Sequence, residues 1–137
     1  MRGGRWRWGD AVPRERKRAG HRESDTQIAC VAWFRQEYRG YERLLFSVPN
    51  GGYRRRVTAQ VMKAEGMVAG VADLILLLPR HGYHFLAIEM KSREGRQSAA
   101  QKAWQADAER AGGMYVICRS VEEFQCVISR YFNDGRG

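Results

Sequence analysis

Hydrophobic and polar residues change their rhythm several times along this chain, and each change marks an element. Two apolar runs, Leu74-Ile75-Leu76-Leu77-Leu78-Pro79 and Tyr83-His84-Phe85-Leu86-Ala87-Ile88-Glu89-Met90-Lys91, flank Arg80-His81-Gly82. They read as two adjacent β-strands joined by a short turn. Upstream, Ile28, Val31, Ala32 and Phe34 make an apolar stripe near helical spacing. That helix starts near Glu23-Ser24-Asp25, takes Ser24 or Asp25 as its cap, and ends by Tyr38-Arg39-Gly40. Leu44 to Val48 reads as a short strand, Pro49-Asn50-Gly51-Gly52 as a turn, and Val57 to Glu65 as a helix stopped by Gly66. Beyond Lys91, a polar loop from Ser92 to Gln97 leads to Ser98, the N-cap of a helix through Ala111 with Trp104 and Ala108 on its stripe. Gly112-Gly113 closes it, Met114 to Cys118 is a strand, and Ser120 caps a last helix that buries Phe124, Val127, Ile128 and Tyr131.

The element order is thus α, β, α, β, β, α, β, α. A strand–helix–strand crossover after a hairpin requires both antiparallel and parallel pairing. The expected fold is α/β (α+β), a central mixed β-sheet flanked by helices. Residues 1–22 stand apart: they are rich in Arg, carry Trp6 and Trp8, and lack apolar periodicity. They read as a basic arm, with residues 23–134 as the folded domain. Interleaved Arg and Trp suit contact with phosphates and bases. A solubilising tail, or a misplaced start codon, would give the same composition.

With 137 residues the chain suits one domain with one core. A formal net charge of +9 and a pI near 10.0 change the picture more, because they point to a polyanion such as nucleic acid ahead of an anionic membrane surface. No apolar run approaches the roughly 18–20 residues that span a bilayer. The N-terminus has arginines without an apolar core segment, so the expectation is a cytoplasmic protein that is not secreted. Cys30, Cys118 and Cys126 are odd in number and lack ligand spacing, which reads as free thiols. His21, His81 and His84 form no ligand cluster, and His84 reads as a half-exposed strand residue.

The chemistry lies at the ends of the hairpin. Glu89 and Lys91 are two apart on one strand and therefore share a face. If the hairpin is symmetric about His81, Asp73 lies opposite Glu89, about 5 Å away at Cβ. Two carboxylates so placed repel, and a divalent cation between them relieves the repulsion. Oxygen ligands of this kind suit Mg²⁺ or Mn²⁺. An isolated Glu-x-Lys is more often a surface ion pair. Here the pair ends a strongly apolar strand, and a second acid falls at the matching distance across the turn. Arg54, Arg55, Arg56 and Lys63 near the glycine turn, with Asn50 in the turn and Lys102 on the later helix, are candidate contacts to nucleic-acid phosphates. No helix-turn-helix or zinc finger is visible, which favours recognition of nucleic-acid shape over sequence.

With these residues placed, the chain resembles the VRR-NUC family, the virus-type replication–repair nucleases of the PD-(D/E)xK superfamily. The resemblance runs from about Glu23 to Tyr131. It rests on Glu23 with Gln27, on Val48-Pro49-Asn50-Gly51-Gly52, on Gly66…Gly70-Val71-Ala72-Asp73, on Ile88-Glu89-Met90-Lys91, and on Ser98…Gln101…Trp104. One departure is Ala72, where the family usually has proline before the acid. The resemblance implies a restriction-endonuclease-like core. It makes Asp73 and Glu89 metal ligands, with the Met90 carbonyl and Glu23 (directly or through water) as additional ones. It gives Lys91 the attacking water and the phosphorane charge, and makes Gln101 a support for the site, where a solvated helix residue is the bland alternative. A metal-dependent DNA endonuclease follows, resolving four-way junctions as a homodimer through the first helix and the Val57–Glu65 helix. The alternatives are a nicking, flap or restriction-like endonuclease, a non-catalytic nucleic-acid-binding module, and an RNA-binding structural protein that would leave the paired acids unexplained.

Overall fold

The structure is a computed structural model that describes residues 23–49 and 58–133. The basic arm, Asn50-Gly51-Gly52, Arg54, Arg55, Arg56 and the expected helix start at Val57 lie outside the described residues. Elements follow the expected order: α1 (Glu23–Glu37), β1 (Leu45–Ser47), α2 (Ala59–Ala64), β2 (Leu74–Leu76), β3 (Leu86–Met90), α3 (Ala99–Arg110), β4 (Met114–Cys118) and α4 (Val121–Phe132). A single 3-10 turn, Glu42–Leu44, leads into β1. The sheet has strand order β1-β2-β3-β4. The first two pairings are antiparallel, and β3 with β4 is parallel through the α3 crossover. The sheet is therefore mixed, as the element order requires.

The hairpin register is symmetric about His81, with Leu74 opposite Ile88 and Leu76 opposite Leu86. Both strands are shorter than the apolar runs. Leu77 is 57 % exposed, and the run continues past the last ladder pair because hydrophobicity alone does not recruit a partner strand. The turn itself is tight. His81 and Gly82 have φ of 53° and 80°, and Arg80 and Tyr83 exchange backbone hydrogen bonds of 3.1 and 2.8 Å. Positive φ at both central residues is the type I′ geometry that matches strand twist. Histidine in the left-handed region carries a cost, which the hydrogen bond from its Nε2 to the Arg130 carbonyl (2.9 Å) offsets. Tyr131 adds a second tie, donating from its hydroxyl to the Leu78 carbonyl at 2.5 Å.

Alternation sorts the sheet's two faces. Leu74, Leu76, Leu86, Ile88, Val116 and Cys118 join Phe34, Phe124, Val127, Ile128 and Tyr131 in the main core beneath α1 and α4. On the opposite face Ala87 and Tyr115 pack with Ile75, Phe85, Trp104 and Ile117 beneath α3. All five β3 residues are buried, as expected of a strand covered on both sides. The final helix buries the four residues its stripe named.

The first helix differs from expectation in two respects. It begins at Glu23, so Ser24 and Asp25 lie inside its first turn and do not cap it. Its buried residues are Cys30 and Phe34, whereas Ile28 is 64 % exposed and Ala32 is also exposed. The helix docks on α4 through aromatics, with Tyr38 stacked on Phe132 at 4.1 Å, and this docking selects the inward face. Cys30, Cys118 and Cys126 are free thiols, the first two buried. His84 is exposed just before β3 and not within the strand, with its ring over Gly112, where any Cβ would come within 2.2 Å. Among the described residues no helix is long and apolar enough to cross a membrane.

Candidate active site

Asp73 immediately precedes β2, and continuing the ladder by one step sets it opposite Glu89. Its backbone carbonyl accepts from Val48 N–H at 2.9 Å, which anchors it to the edge strand. Its carboxylate accepts from Met90 N–H at 2.8 Å. The acid is thus pinned at the end of the strand carrying Glu89, near enough for its charge to repel that of the Glu89 carboxylate.

Glu89 is 2 % exposed and is the sole charged residue among the buried described residues. It follows Ala87 on the α3 face. Two groups address its Oε1: Gln101 Nε2 donates at 3.0 Å, and Lys91 Nζ lies 3.8 Å away. Its Oε2 is buried without a hydrogen-bond partner. Burial, and after it repulsion from the Asp73 carboxylate, push the Glu89 carboxyl up to about 8 from an ordinary 4.5, against the pull of Lys91. A buried, unsatisfied acceptor beside a second acid is costly and calls for a proton or a cation.

Gln101 owes its orientation to the start of α3. Ser98 and Gln101 form a capping box: Ser98 Oγ accepts from Gln101 N–H at 3.2 Å, and Gln101 Oε1 accepts from Ser98 N–H at 2.9 Å. With its oxygen committed to the helix cap, the amide turns its nitrogen toward Glu89. The loop before Asp73 presses on the same turn. Gly70 has φ of 84°, and a Cβ there would lie 2.3 Å from the Ala100 carbonyl oxygen, so glycine is required by both backbone and space.

Glu23 reaches the same end of the sheet from α1 and lines one cleft with Asp73 and Met90. Its Oε1 accepts from Ser92 N–H at 2.8 Å, bracing the chain just after Lys91. Among the described residues no group of three His, Cys, Asp or Glu side chains is arranged to hold a metal ion. The compact donor set is therefore Asp73 and Glu89. Two carboxylates, one with an orphaned buried oxygen, fit a hard dication such as Mg²⁺, which commonly takes one or two protein carboxylates and completes its shell with water and phosphate. Glu23, Gln27, Arg35, Phe46, Asp73 and Met90 line a cleft of about 490 Å³ between α1 and β1. Lys63 and Lys102 are both exposed, Lys102 directly beside Gln101 in α3, while Asn50 and Arg54–Arg56 lie outside the described residues.

Sequence reasoning missed Arg119. Its guanidinium reaches the loop after Lys91, and no local pattern marks an arginine after a strand as anything but a surface charge.

Comparison with known proteins bears on the fold and the family. A search of curated proteins finds no match. Among solved structures, a protein described as a VRR_NUC domain protein superposes with a TM-score of 0.72 at 26 % identity, covering 85 % of this chain and 92 % of its own. The family model for the VRR-NUC domain matches residues 11–122, most of the chain. The chain belongs to the VRR-NUC family, a nuclease family of the PD-(D/E)xK type.

Proposed function

We propose that this protein is a Mg²⁺- or Mn²⁺-dependent DNA endonuclease that selects branched substrates, four-way junctions in particular, and acts as a homodimer. The observation that carries the reading is Glu89: a buried acid with one unpartnered oxygen, set against Asp73 and within 3.8 Å of the Lys91 ammonium. Asp73 and Glu89, with the Met90 carbonyl, would hold the cation. When bound, it lowers the pKa of a water and offsets charge on the phosphate.

The chain's own groups do the rest. Gln101 fixes Glu89 through Oε1, which leaves Oε2 directed to the site. Met90 N–H holds Asp73 at its angle. Lys91 brings fixed positive charge to where the attacked phosphate gains negative charge, with little reorganisation because its partner acid is buried. Glu23 steadies the backbone after Lys91. The cleft beside Asp73 suits one DNA strand: Arg35 supplies a cation, and Ile28 and Phe46 present exposed apolar surface. Lys63, Lys102, Asn50 and Arg54–Arg56 would hold phosphates, a salt-sensitive interaction without sequence preference. A four-way junction has two equivalent strands to cut, which two identical sites related by a twofold axis match.

The test is a panel of labelled duplex, flap, splayed-arm and four-way DNA, incubated with Mn²⁺ or EDTA, beside light scattering for subunit number. Cleavage should require the cation and favour the junction. Asp73→Ala, Glu89→Ala and Lys91→Ala should each abolish it in a folded protein. Undiminished cutting by all three variants ends the proposal, and preferential cutting of flap or duplex DNA ends the junction assignment.

A further inference from the structure

The Lys91 side chain is directed by more than its partner acid. Arg119 follows the last residue of β4, and its Nη1 donates to three backbone carbonyls: Ser92 at 2.7 Å, Arg93 at 3.2 Å and Gly95 at 2.7 Å. These carbonyls belong to one turn, closed by Gly95 N–H on the Ser92 carbonyl at 3.1 Å. The turn folds back onto the lysine. A methyl group on Gly95 would sit 3.3 Å from Lys91 Cδ and 3.0 Å from Ser92 Oγ, so the Gly95 backbone already lies against the lysine stem. The base of the arrangement is rigid as well. Lys91 N–H donates to the Cys118 carbonyl at 3.0 Å, and Arg119 N–H donates to Glu123 Oε2 at 2.7 Å in the first turn of α4.

We propose that Arg119 is a positioning residue for Lys91. Its guanidinium gathers the Ser92–Gly95 turn onto the lysine stem and thereby holds Nζ beside Glu89. The physical reason is reach and permanent charge: the two hydrogens of Nη1 are shared among three converging carbonyls through charge-assisted bonds, and the shorter lysine stem brings its ammonium less fully to them. Without it the turn loses its common donor, the wall on Lys91 loosens, and the ammonium gains rotamers that point away from the site. The inference rests on the nuclease reading only in assigning Lys91 to the reacting phosphate. The placement of the lysine is independent of that reading.

The experiment uses the full chain with ¹³C-labelled lysine. Four lysines give a readable spectrum, and Lys91→Arg assigns the signal. In the metal-free, DNA-free protein the two Cε protons of a held Lys91 are inequivalent. In Arg119→Ala they should collapse toward the single position of a free lysine. With junction DNA and Mn²⁺, Arg119→Ala should lower kcat at least tenfold while KM stays within twofold. Arg119→Lys should move both readouts in the same direction by less, and it carries the test by itself if Arg119→Ala does not fold. An unchanged Lys91 signal in the folded variant overturns the proposal. A raised KM at constant kcat overturns it too, because that marks a phosphate contact. If the wild-type protein cuts no DNA, the nuclease reading fails, and the lysine spectrum still decides the positioning role.

Discussion

Replacing Glu89 with glutamine removes a charge that the fold is built to resist. The carboxyl is 2 % exposed and its proton is held up to about pH 8, against 4.5 for an ordinary glutamate. The sign follows from proton counting. Between those two values the unfolded chain has released its proton while the folded chain retains it, so stability in the absence of cation falls as pH rises through the window. Each tenfold change in proton affinity is worth about 1.4 kcal/mol, so the wild-type protein should lose about 3–4 kcal/mol between pH 5 and pH 8 from this group. Glu89→Gln is nearly isosteric, keeps an oxygen for Gln101, and puts an amide where Oε2 had no partner. Its stability advantage over wild type should therefore grow by about 3–4 kcal/mol from pH 5 to pH 8. Urea unfolding in EDTA at several pH values measures this directly. Adding Mg²⁺ should flatten the wild-type curve and leave the variant's unchanged, since a bound cation replaces the proton. Parallel pH curves for the two proteins in EDTA would refute the reasoning, because they would mean that Glu89 ionises at no cost.

Two further outcomes follow from packing. Gly70→Ala places a methyl 2.3 Å from the Ala100 carbonyl oxygen at a φ of 84°, so it should destabilise by about 2 kcal/mol or more and shift the Gln101 side-chain amide signals in an NMR spectrum. Tyr131→Phe leaves the buried Leu78 carbonyl without its donor and should cost about 1–2 kcal/mol in urea unfolding, with the β2–β3 turn losing amide protection first.

Much of the site was legible because the sequence writes register in a simple code. Taking Arg80-His81-Gly82 as the break between two apolar runs, with His81 at its centre, fixes which residues face one another, so Asp73 and Glu89 could be paired from the turn outward. Ser98 and Ser120 were legible as caps, and both accept the expected backbone bond. The first helix was less legible because it carries apolar residues on two sides. Cys30 and Phe34 enter the core, Ile28 and Ala32 line the cleft, and periodicity cannot tell a core face from a groove wall. Arg119 was not legible at all. Its partners are backbone carbonyls more than twenty residues away, and carbonyls leave no trace in residue identity.

The amide of Gln101 joins two events that are usually separate. Glutamate satisfies a capping box as well as glutamine does. At this position, however, it would aim a third negative group at an acid that has one neutral donor, so helix initiation here accepts only one of two otherwise equivalent solutions. Fraying of the first turn of α3 and release of Glu89 are consequently a single motion. The folding of one helix end thus sets whether the acid is aligned.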